Sequence, residues 1–197
     1  MISHKYKCIF IHISRTAGTR IEKWLVGNDW WNIEPETKHL LASQAKKMYA
    51  AYWDDYFKFS FVRDPVARCL SCLHFKDHYK IELAGNSLDF SAYHEVFGRD
   101  VIVEHDHRFY TRADLLTSAH RKGCVYANIL DEEIDFIGKY ENIDNDVAAL
   151  AKILGASDVF DFHALRSTQK PSVQLSDETL AHIKEIYALD YARYDYA

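Results

Sequence analysis

A junction between a strand pattern and a helix pattern occurs twice in this sequence, and it limits the possible folds more than any other feature. Residues 8–25, CIFIHISRTAGTRIEKWL, begin with apolar and β-branched residues typical of a buried strand and continue with apolar residues at helical spacing. Residues 55–75, DYFKFSFVRDPVARCLSCLHF, begin with alternating phenylalanines and continue with a second helix pattern. Because such units place parallel strands side by side, the sequence predicts an α/β fold in which helices flank a central parallel β-sheet.

The segment SRTAGT, residues 14–19, connects the first strand to the first helix, and its small residues are suited to binding an anion. They allow backbone N–H groups to converge on one point, and the helix N-terminus adds partial positive charge. Gly18 can adopt a positive φ, and we expect Thr16 or Thr19 to cap the helix. The loop has one glycine and no lysine before its threonine, so it is not a Walker A loop. It is a candidate phosphate-binding loop of another kind.

The second junction places an arginine at the end of the second strand. Asp64 is a favourable N-cap and Pro65 suits the first helical position, so Arg63 is held at the corner between strand and helix. Arg68 and Ser71 are three residues apart and share one face of this helix. Arg63 and Ser71 could bind a second phosphate; equally, Arg63 could pair with a carboxylate while Ser71 faces solvent or backbone. Because the carboxyl ends of parallel strands share one edge of a sheet, the two junctions predict two anion-binding points there.

Composition restricts the class of protein. A chain of 197 residues with 48% hydrophobic and 27% charged residues is typical of one folded domain, so we predict a single domain over residues 1–197. Its apolar runs are too short to span a bilayer, and the first residues lack the apolar stretch of a signal peptide, which predicts a cytoplasmic protein. The net charge of −5 argues against a general nucleic-acid binder. The tripeptide HDH at 105–107 could suggest a metal site, but three successive strand residues do not converge on one ion, so we expect no metal.

The order and spacing of these motifs resemble the sulfotransferases that use 3′-phosphoadenosine 5′-phosphosulfate (PAPS), and within them sulfotransferase family 2. In that family the first loop reads P-K-T-A-G-T-S, and here Ser14–Arg20 read SRTAGTR. The second family motif, R-[ND]-P-x-x-R-x-x-S, is matched completely by Arg63–Ser71. Residues 134–155 are similar to a strand-to-helix segment whose tyrosine approaches the adenine, and Tyr140 takes that position. The ending EIYALDYARYDY, residues 185–196, is similar to the family's C-terminal helix and tail.

The resemblance implies a single P-loop-like domain that binds PAPS as co-substrate, releases 3′-phosphoadenosine 5′-phosphate (PAP) and needs no metal. The first loop would hold the 5′-phosphosulfate, and the second motif would hold the 3′-phosphate. Residues 166–172, RSTQKPS, are similar to a polar loop that closes over the nucleotide, although they could equally be solvated loop residues. The implied nucleotide-binding residues are Arg15, Thr16, Ala17, Gly18, Thr19, Arg20, Arg63, Ser71, Tyr140, Arg166 and Lys170.

The first loop departs from the family pattern at three positions. Arg15 stands where the family usually has a lysine that touches the bridging and sulfuryl oxygens, Ser14 replaces the proline, and Arg20 replaces the final serine. Arginine keeps the positive charge but presents a planar fork instead of a mobile ammonium. The motifs therefore support nucleotide binding more directly than they support sulfuryl transfer.

Sulfuryl transfer requires a base for the acceptor hydroxyl and positive charge at the departing oxygen. Arg15 and the N–H groups of the loop would supply that charge. For the base we favour His39, because an imidazole titrates near neutral pH and this one lies between the two phosphate motifs. Related carbohydrate sulfotransferases place a catalytic histidine in a comparable segment, although His39 could also be an ordinary histidine at a helix start. Glu22, Glu36 and His12 are alternatives, and of these His12 has the strand position of a packed core residue.

The resemblance favours a sugar hydroxyl on a glycan as the acceptor, with small alcohols, lipids and peptide tyrosines as alternatives. Two other functions stay open. One is a P-loop-like kinase for a small metabolite, against which the missing Walker lysine counts. The other is a nucleotide-binding protein without catalytic activity, which the arginine at position 15 suggests.

Overall fold

The computed structural model describes residues 1–73, 87–88, 102–103, 109–110, 126–156, 174–175 and 177–196. Arg166, Lys170 and the tripeptide at 105–107 lie outside these ranges. The chain divides into two compact units, of which the first comprises Met1–Arg63 with Ile129–Arg166 and the second comprises Asp64–Asn128 with Ser167–Ala197. The single domain expected from composition stays a prediction. In the described ranges, no helix has the length and apolarity needed to cross a membrane.

The described helices and strands alternate along much of the chain. In order they are β1 (Ile2–Ser3), β2 (Cys8–Ile11), α1 (Gly18–Val26), α2 (Ala42–Met48), β3 (Phe57–Val62), α3 (Pro65–Leu73), β4 (Ser87–Leu88), β5 (Ile102–Val103), β6 (Phe109–Tyr110), α4 (Tyr126–Ile129), β7 (Phe136–Lys139), α5 (Ile143–Leu154), β8 (Gln174–Leu175), α6 (Asp177–Ile186) and α7 (Ala188–Tyr194). Short 3₁₀ turns lie at Trp30–Asn32, Pro35–Thr37 and Tyr140–Asn142.

The first unit is built on a four-stranded sheet with the order β1-β2-β3-β7. Strands β2, β3 and β7 run parallel, and β1 pairs with β2 in the antiparallel direction. At their carboxyl ends, Ile11 of β2 lies opposite Ser60 of β3, and Val62 of β3 lies opposite Lys139 of β7. This arrangement confirms the predicted α/β class with a mostly parallel central sheet and flanking helices.

Strand β2 is buried on both faces, which explains its continuous run of apolar residues. One face joins residues of α1 and α5 in a single hydrophobic core, whose members include Cys8, Phe10, Ile21, Leu25, Phe59, Phe61, Val147 and Leu150. Side chains alternate along each strand, so Ile9, Ile11 and Val62 belong to the opposite face, and each is at most 1% exposed.

The pairing of β3 and β7 depends on a close approach between Gly138 and Phe61, which lie opposite each other in the register. A Cβ on Gly138 would lie 2.3 Å from Cε1 of Phe61, far inside van der Waals contact. Glycine is therefore required here by packing, and it lets the Phe61 ring cover the strand.

In the second unit, α3 packs against α6, and α6 contacts α7. Strands β4 and β8 form a parallel pair, and β5 and β6 form an antiparallel pair. Asp190 of α7 is fully buried, and its carboxylate accepts hydrogen bonds from the backbone N–H groups of Tyr126 and Ala127 at 2.8 and 2.9 Å. These N–H groups belong to the first turn of α4 and have no partner within that helix, so Asp190 caps α4 from a distant part of the sequence.

Candidate functional site

Three parallel strands of the first unit each end at a segment that the sequence assigns to nucleotide binding. β2 ends at Ile11 and leads into the SRTAGT loop, β3 ends at Val62 and leads directly to Arg63, and β7 ends at Lys139 and leads directly to Tyr140. Because the strands are neighbours and parallel, these three segments lie at one edge of the sheet. This is the edge at which open α/β sheets bind ligands.

The loop after β2 contains two residues with left-handed backbone conformations. Arg15 and Ala17 have positive φ values of 66° and 72°, while Thr16 between them does not. Left-handed residues in a short loop can turn successive N–H groups toward one side, and such a geometry suits an anion. The hydroxyl of Thr16 donates to the carbonyl of Ile13 at 2.8 Å and holds the loop against the end of the strand.

The loop differs from the sequence prediction in two details. Gly18 is able to adopt a positive φ, but the left-handed residues are Arg15 and Ala17, and Gly18 begins α1. We also expected Thr16 or Thr19 to cap the helix, but the N-cap is Ala17, and no side chain caps it. The first N–H groups of α1 are thus left without a capping side chain.

Gly18 is required for a different reason, which is its contact with His12. A Cβ at position 18 would lie 2.0 Å from both Cδ2 and Nε2 of His12. The imidazole therefore lies directly against the first residue of α1 and sets how closely the helix approaches the strand. His12 is 1% exposed, as predicted for a core histidine.

Arg63 connects the other two strand ends to the loop. Its Nη1 donates to the carbonyl of Arg15 at 3.3 Å, and its guanidinium carbon lies 4.1 Å from the ring centroid of Tyr140. The second contact is a cation–π interaction, which keeps the guanidinium plane close to the aromatic ring. Arg63, the backbone of Arg15 and the ring of Tyr140 thus form one contiguous group, and their shared role in nucleotide binding stays a prediction.

A buried polar network lies beside the loop and centres on Glu22 of α1. Its Oε1 lies 2.5 Å from Nδ1 of His12, and its Oε2 accepts from Nζ of Lys38 at 2.9 Å and from the backbone N–H of Trp30 at 3.1 Å. Lys38 also bonds to the carboxylate of Asp29. Sequence reasoning missed Lys38, because its partners lie 9 and 16 residues away and nothing in the local pattern marks a buried lysine.

The pKa values in this network follow from burial and from the neighbouring partners. Burial by itself would raise the pKa of Glu22, but His12 and Lys38 outweigh it and lower the pKa to about 2. Burial lowers the pKa of His12 below its ordinary value of 6.5, although Glu22 acts in the opposite direction. Glu22 is therefore an ionised, fully engaged carboxylate and is not free to accept a proton from a substrate.

His39 is placed with a defined tautomer. Its Nδ1 lies 3.0 Å from the carbonyl oxygen of His12, and since a carbonyl only accepts, Nδ1 carries the proton. In the neutral ring, Nε2 is then the basic nitrogen. The ring is 8% exposed, and its centroid lies 4.4 Å from that of His12. Glu36, another alternative base, is exposed.

The second motif continues in the second unit with the predicted helix start. The carboxylate of Asp64 accepts from the N–H of Ala67 at 2.7 Å, and Pro65 is the first residue of α3, which confirms the predicted cap. Arg68 and Ser71 are 1% and 5% exposed. The guanidinium carbon of Arg68 lies 5.2 Å from the ring centroid of Tyr126, and Arg68 donates a hydrogen bond to the hydroxyl of Tyr187 at 3.3 Å. Arg68 therefore links α3 to α4 and to the residue that precedes α7.

The structure groups some predicted site residues and leaves others as predictions. Within the first unit it brings together Arg15, Arg63 and Tyr140, with the loop residues 16–19 beside them. Arg20 lies in the first turn of α1 and is partly exposed. The role of Ser71 stays a prediction, and Arg166 and Lys170 lie outside the described residues. Among the residues that the structure describes, no group of three or more histidine, cysteine or acidic side chains could hold a metal ion.

A comparison with protein-family models matches the sulfotransferase family over residues 1–197. Comparisons with curated proteins and with solved structures gave no match. Because the match covers the whole chain, the chain belongs to the sulfotransferase family, and the resemblance carried by its loop and strand-end motifs is confirmed. It is an enzyme of the class that transfers sulfuryl groups.

Proposed function

We propose that this member of the sulfotransferase family takes the sulfuryl group from PAPS, transfers it to an acceptor hydroxyl and releases PAP. The observation that carries the proposal is the shared sheet edge, where a concave loop at a helix N-terminus, Arg63 and Tyr140 follow three neighbouring parallel strands. A nucleotide with phosphate groups at both ends of its ribose needs separated anion sites and an aromatic surface for its base.

The residues of this edge fit such a nucleotide. The left-handed residues Arg15 and Ala17 shape the loop. At the start of α1, which has no capping side chain, the N–H groups of Gly18 and Thr19 are the donors proposed to bind an anion, because those of Arg20 and Ile21 donate to the carbonyl of Ala17. Arg63 offers a guanidinium already held next to Tyr140, which suits a phosphate near an adenine. Ser71 is proposed as a further 3′-phosphate ligand, and Arg166 and Lys170 as additional ones.

For the proton transfer we propose His39 as the general base. Its Nδ1–H is held by the carbonyl of His12, so Nε2 is the nitrogen that can receive the proton of an acceptor hydroxyl. Glu22 is engaged by three partners, and His12 packs against Gly18, so both are better suited to holding the loop than to proton transfer. Arg15 and the loop N–H groups would stabilise the charge that forms on the departing oxygen.

As acceptor we propose a sugar hydroxyl, on the strength of the similarity to carbohydrate sulfotransferases. Labelled PAPS incubated with separate panels of glycans, lipids and phenols tests both donor and acceptor. We expect label on the glycans. Calorimetric titration with PAP and with ATP tests the nucleotide directly, and tight binding of ATP instead of PAP would overturn the proposal in favour of a kinase.

The role of His39 has its own test. His39→Ala should leave PAP affinity nearly unchanged while lowering turnover on the acceptor identified above by a factor of about 10² to 10⁴. His4→Ala is the matched control, because His4 is an exposed histidine whose Nδ1 pairs with the hydroxyl of Tyr56. Full turnover in His39→Ala would remove His39 from the mechanism.

A further inference from the structure

Lys38 is a buried residue in the described part of the first unit, and the assigned motifs do not explain its placement. Its side chain is 4% exposed, although lysine is rarely buried to that extent. We infer that Lys38 is a positioning residue for the loop after β2, and that its charge makes this loop select ligands with a 5′-phosphate. This inference rests on the proposed function.

The contacts of Lys38 place its ammonium between two carboxylates and the loop. Nζ donates to Oε2 of Glu22 at 2.9 Å and to the carboxylate of Asp29. Nζ also lies 3.5 Å from the hydroxyl of Thr19, the last residue of the SRTAGT segment. The three acceptors come from α1 and the turn that follows it, so one ammonium holds the helix start and the next turn together.

The charge of Lys38 matters because of what surrounds it. Glu22 is ionised, and a bare buried carboxylate beside an anion-binding loop would repel a phosphate. Lys38 offsets the charge of that carboxylate, although it shares its ammonium with Asp29, and it places the ammonium 3.5 Å from the hydroxyl of Thr19. The residue that follows it is His39, whose Nδ1 is bound to the carbonyl of His12 just before the loop. Lys38 therefore connects the proposed phosphate loop to the proposed base.

If Lys38 only forms a structural ion pair, its substitution should affect ligand selectivity differently than if Lys38 positions the loop. PAP and adenosine 3′-monophosphate share the adenosine and the 3′-phosphate, and they differ only at the 5′-phosphate. A structural role would change stability or both affinities together. A role at the loop changes the ratio of the two affinities, and this ratio does not depend on the fraction of folded protein.

The experiment measures both dissociation constants by calorimetry for the wild type, Lys38→Met and Lys38→Arg. We expect Lys38→Met to weaken PAP about tenfold and adenosine 3′-monophosphate less than about twofold, as the loss of one charged contact would. Lys38→Arg should restore part of the ratio because it keeps the charge. Lys46→Met is the matched control, since Lys46 is a half-exposed lysine paired with Glu132, and it should leave both constants unchanged.

Asp29→Asn provides a second variant that is expected to fold if Lys38→Met does not. Asp29 is 26% exposed, and asparagine can still accept from the N–H of Trp31 as Asp29 does at 2.9 Å. Removing this carboxylate leaves more of the Lys38 charge for the loop, so the preference for PAP should rise about twofold or more. An unchanged ratio in Asp29→Asn, or in folded Lys38→Met, overturns the inference. A wild type that binds neither nucleotide overturns the proposed function instead.

Discussion

Gly18→Ala tests whether His12 sets the position of α1. The new Cβ would lie 2.0 Å from the imidazole, whereas side-chain contacts of this kind are at least 3.0 Å, so helix or ring must move by about 1 Å. The ring has little freedom, because Nδ1 is bound to Glu22 and the ring stacks on Phe10 at 5.5 Å.

The expected cost can be worked from these contacts. Overpacking a full core costs about 1 to 3 kcal/mol, and weakening a charge-assisted hydrogen bond costs about 1.5 to 3 kcal/mol more. We therefore expect Gly18→Ala to lower the free energy of unfolding by about 4 kcal/mol in urea denaturation. Because the loop moves with the helix, PAP affinity should also fall.

Gly27→Ala is the control, since Gly27 ends the same helix with a φ of 78° but has open space around its Cβ position. It should cost only about 1 kcal/mol of backbone strain and leave PAP binding unchanged. A double mutant adding His12→Ala to Gly18→Ala removes the obstructing ring, so the two changes should couple favourably by at least about 1 kcal/mol. If Gly18→Ala costs no more than Gly27→Ala, or if the double mutant is additive, the contact does not set the helix position.

Further predictions concern the anion sites and the buried carboxylate. Arg63→Ala should weaken PAP binding by about 1.5 to 3 kcal/mol in calorimetry and Ser71→Ala by less, and unchanged affinity in both variants contradicts the second motif. Arg15→Ala should weaken PAP binding and slow turnover, and Arg15→Lys should recover part of the turnover rate. If Arg15→Lys turned over faster than the wild type, the arginine would have a role other than increasing the rate. The pKa of Glu22 is about 2 in the folded chain against an ordinary 4.5. The stability that ionised Glu22 gives to the folded protein is therefore complete above about pH 5 and is lost as the pH falls toward 2. Glu22→Gln should flatten this acid-side loss of stability in urea denaturation, and equal pH slopes in the two proteins would refute the assignment.

Features that depend on neighbouring residues were predictable from the sequence. The start of α3 is set by Asp64 and Pro65, and both took the predicted positions. Strands β2 and β3 were predicted in type and direction because their apolar patterns repeat before similar helices. The placement of Arg63 at a strand end followed from the same local argument.

Features that depend on distant contacts were not predictable. The need for glycine at position 18 comes from His12, which lies six residues earlier and directly after β2, whereas the sequence argument related this glycine to the loop conformation. The burial of Lys38 depends on carboxylates that only the folded chain brings to it. The motif residue Arg68 contacts Tyr126 and Tyr187, and Tyr187 is 119 residues away from it in the sequence.

The strand order has a consequence for synthesis on the ribosome. β3 meets its first neighbour, β2, early, but β7 is made much later, as the 77-residue separation of the bonded pair Lys58 and Asp135 indicates. At translation rates of about 5 to 20 residues per second, β3 waits roughly 4 to 15 s for its second partner. During that time its outer edge presents unpaired N–H and C=O groups that other nascent chains can pair with. Nascent chains that stop before Phe136 are therefore expected to need chaperones more than chains that extend past Lys139.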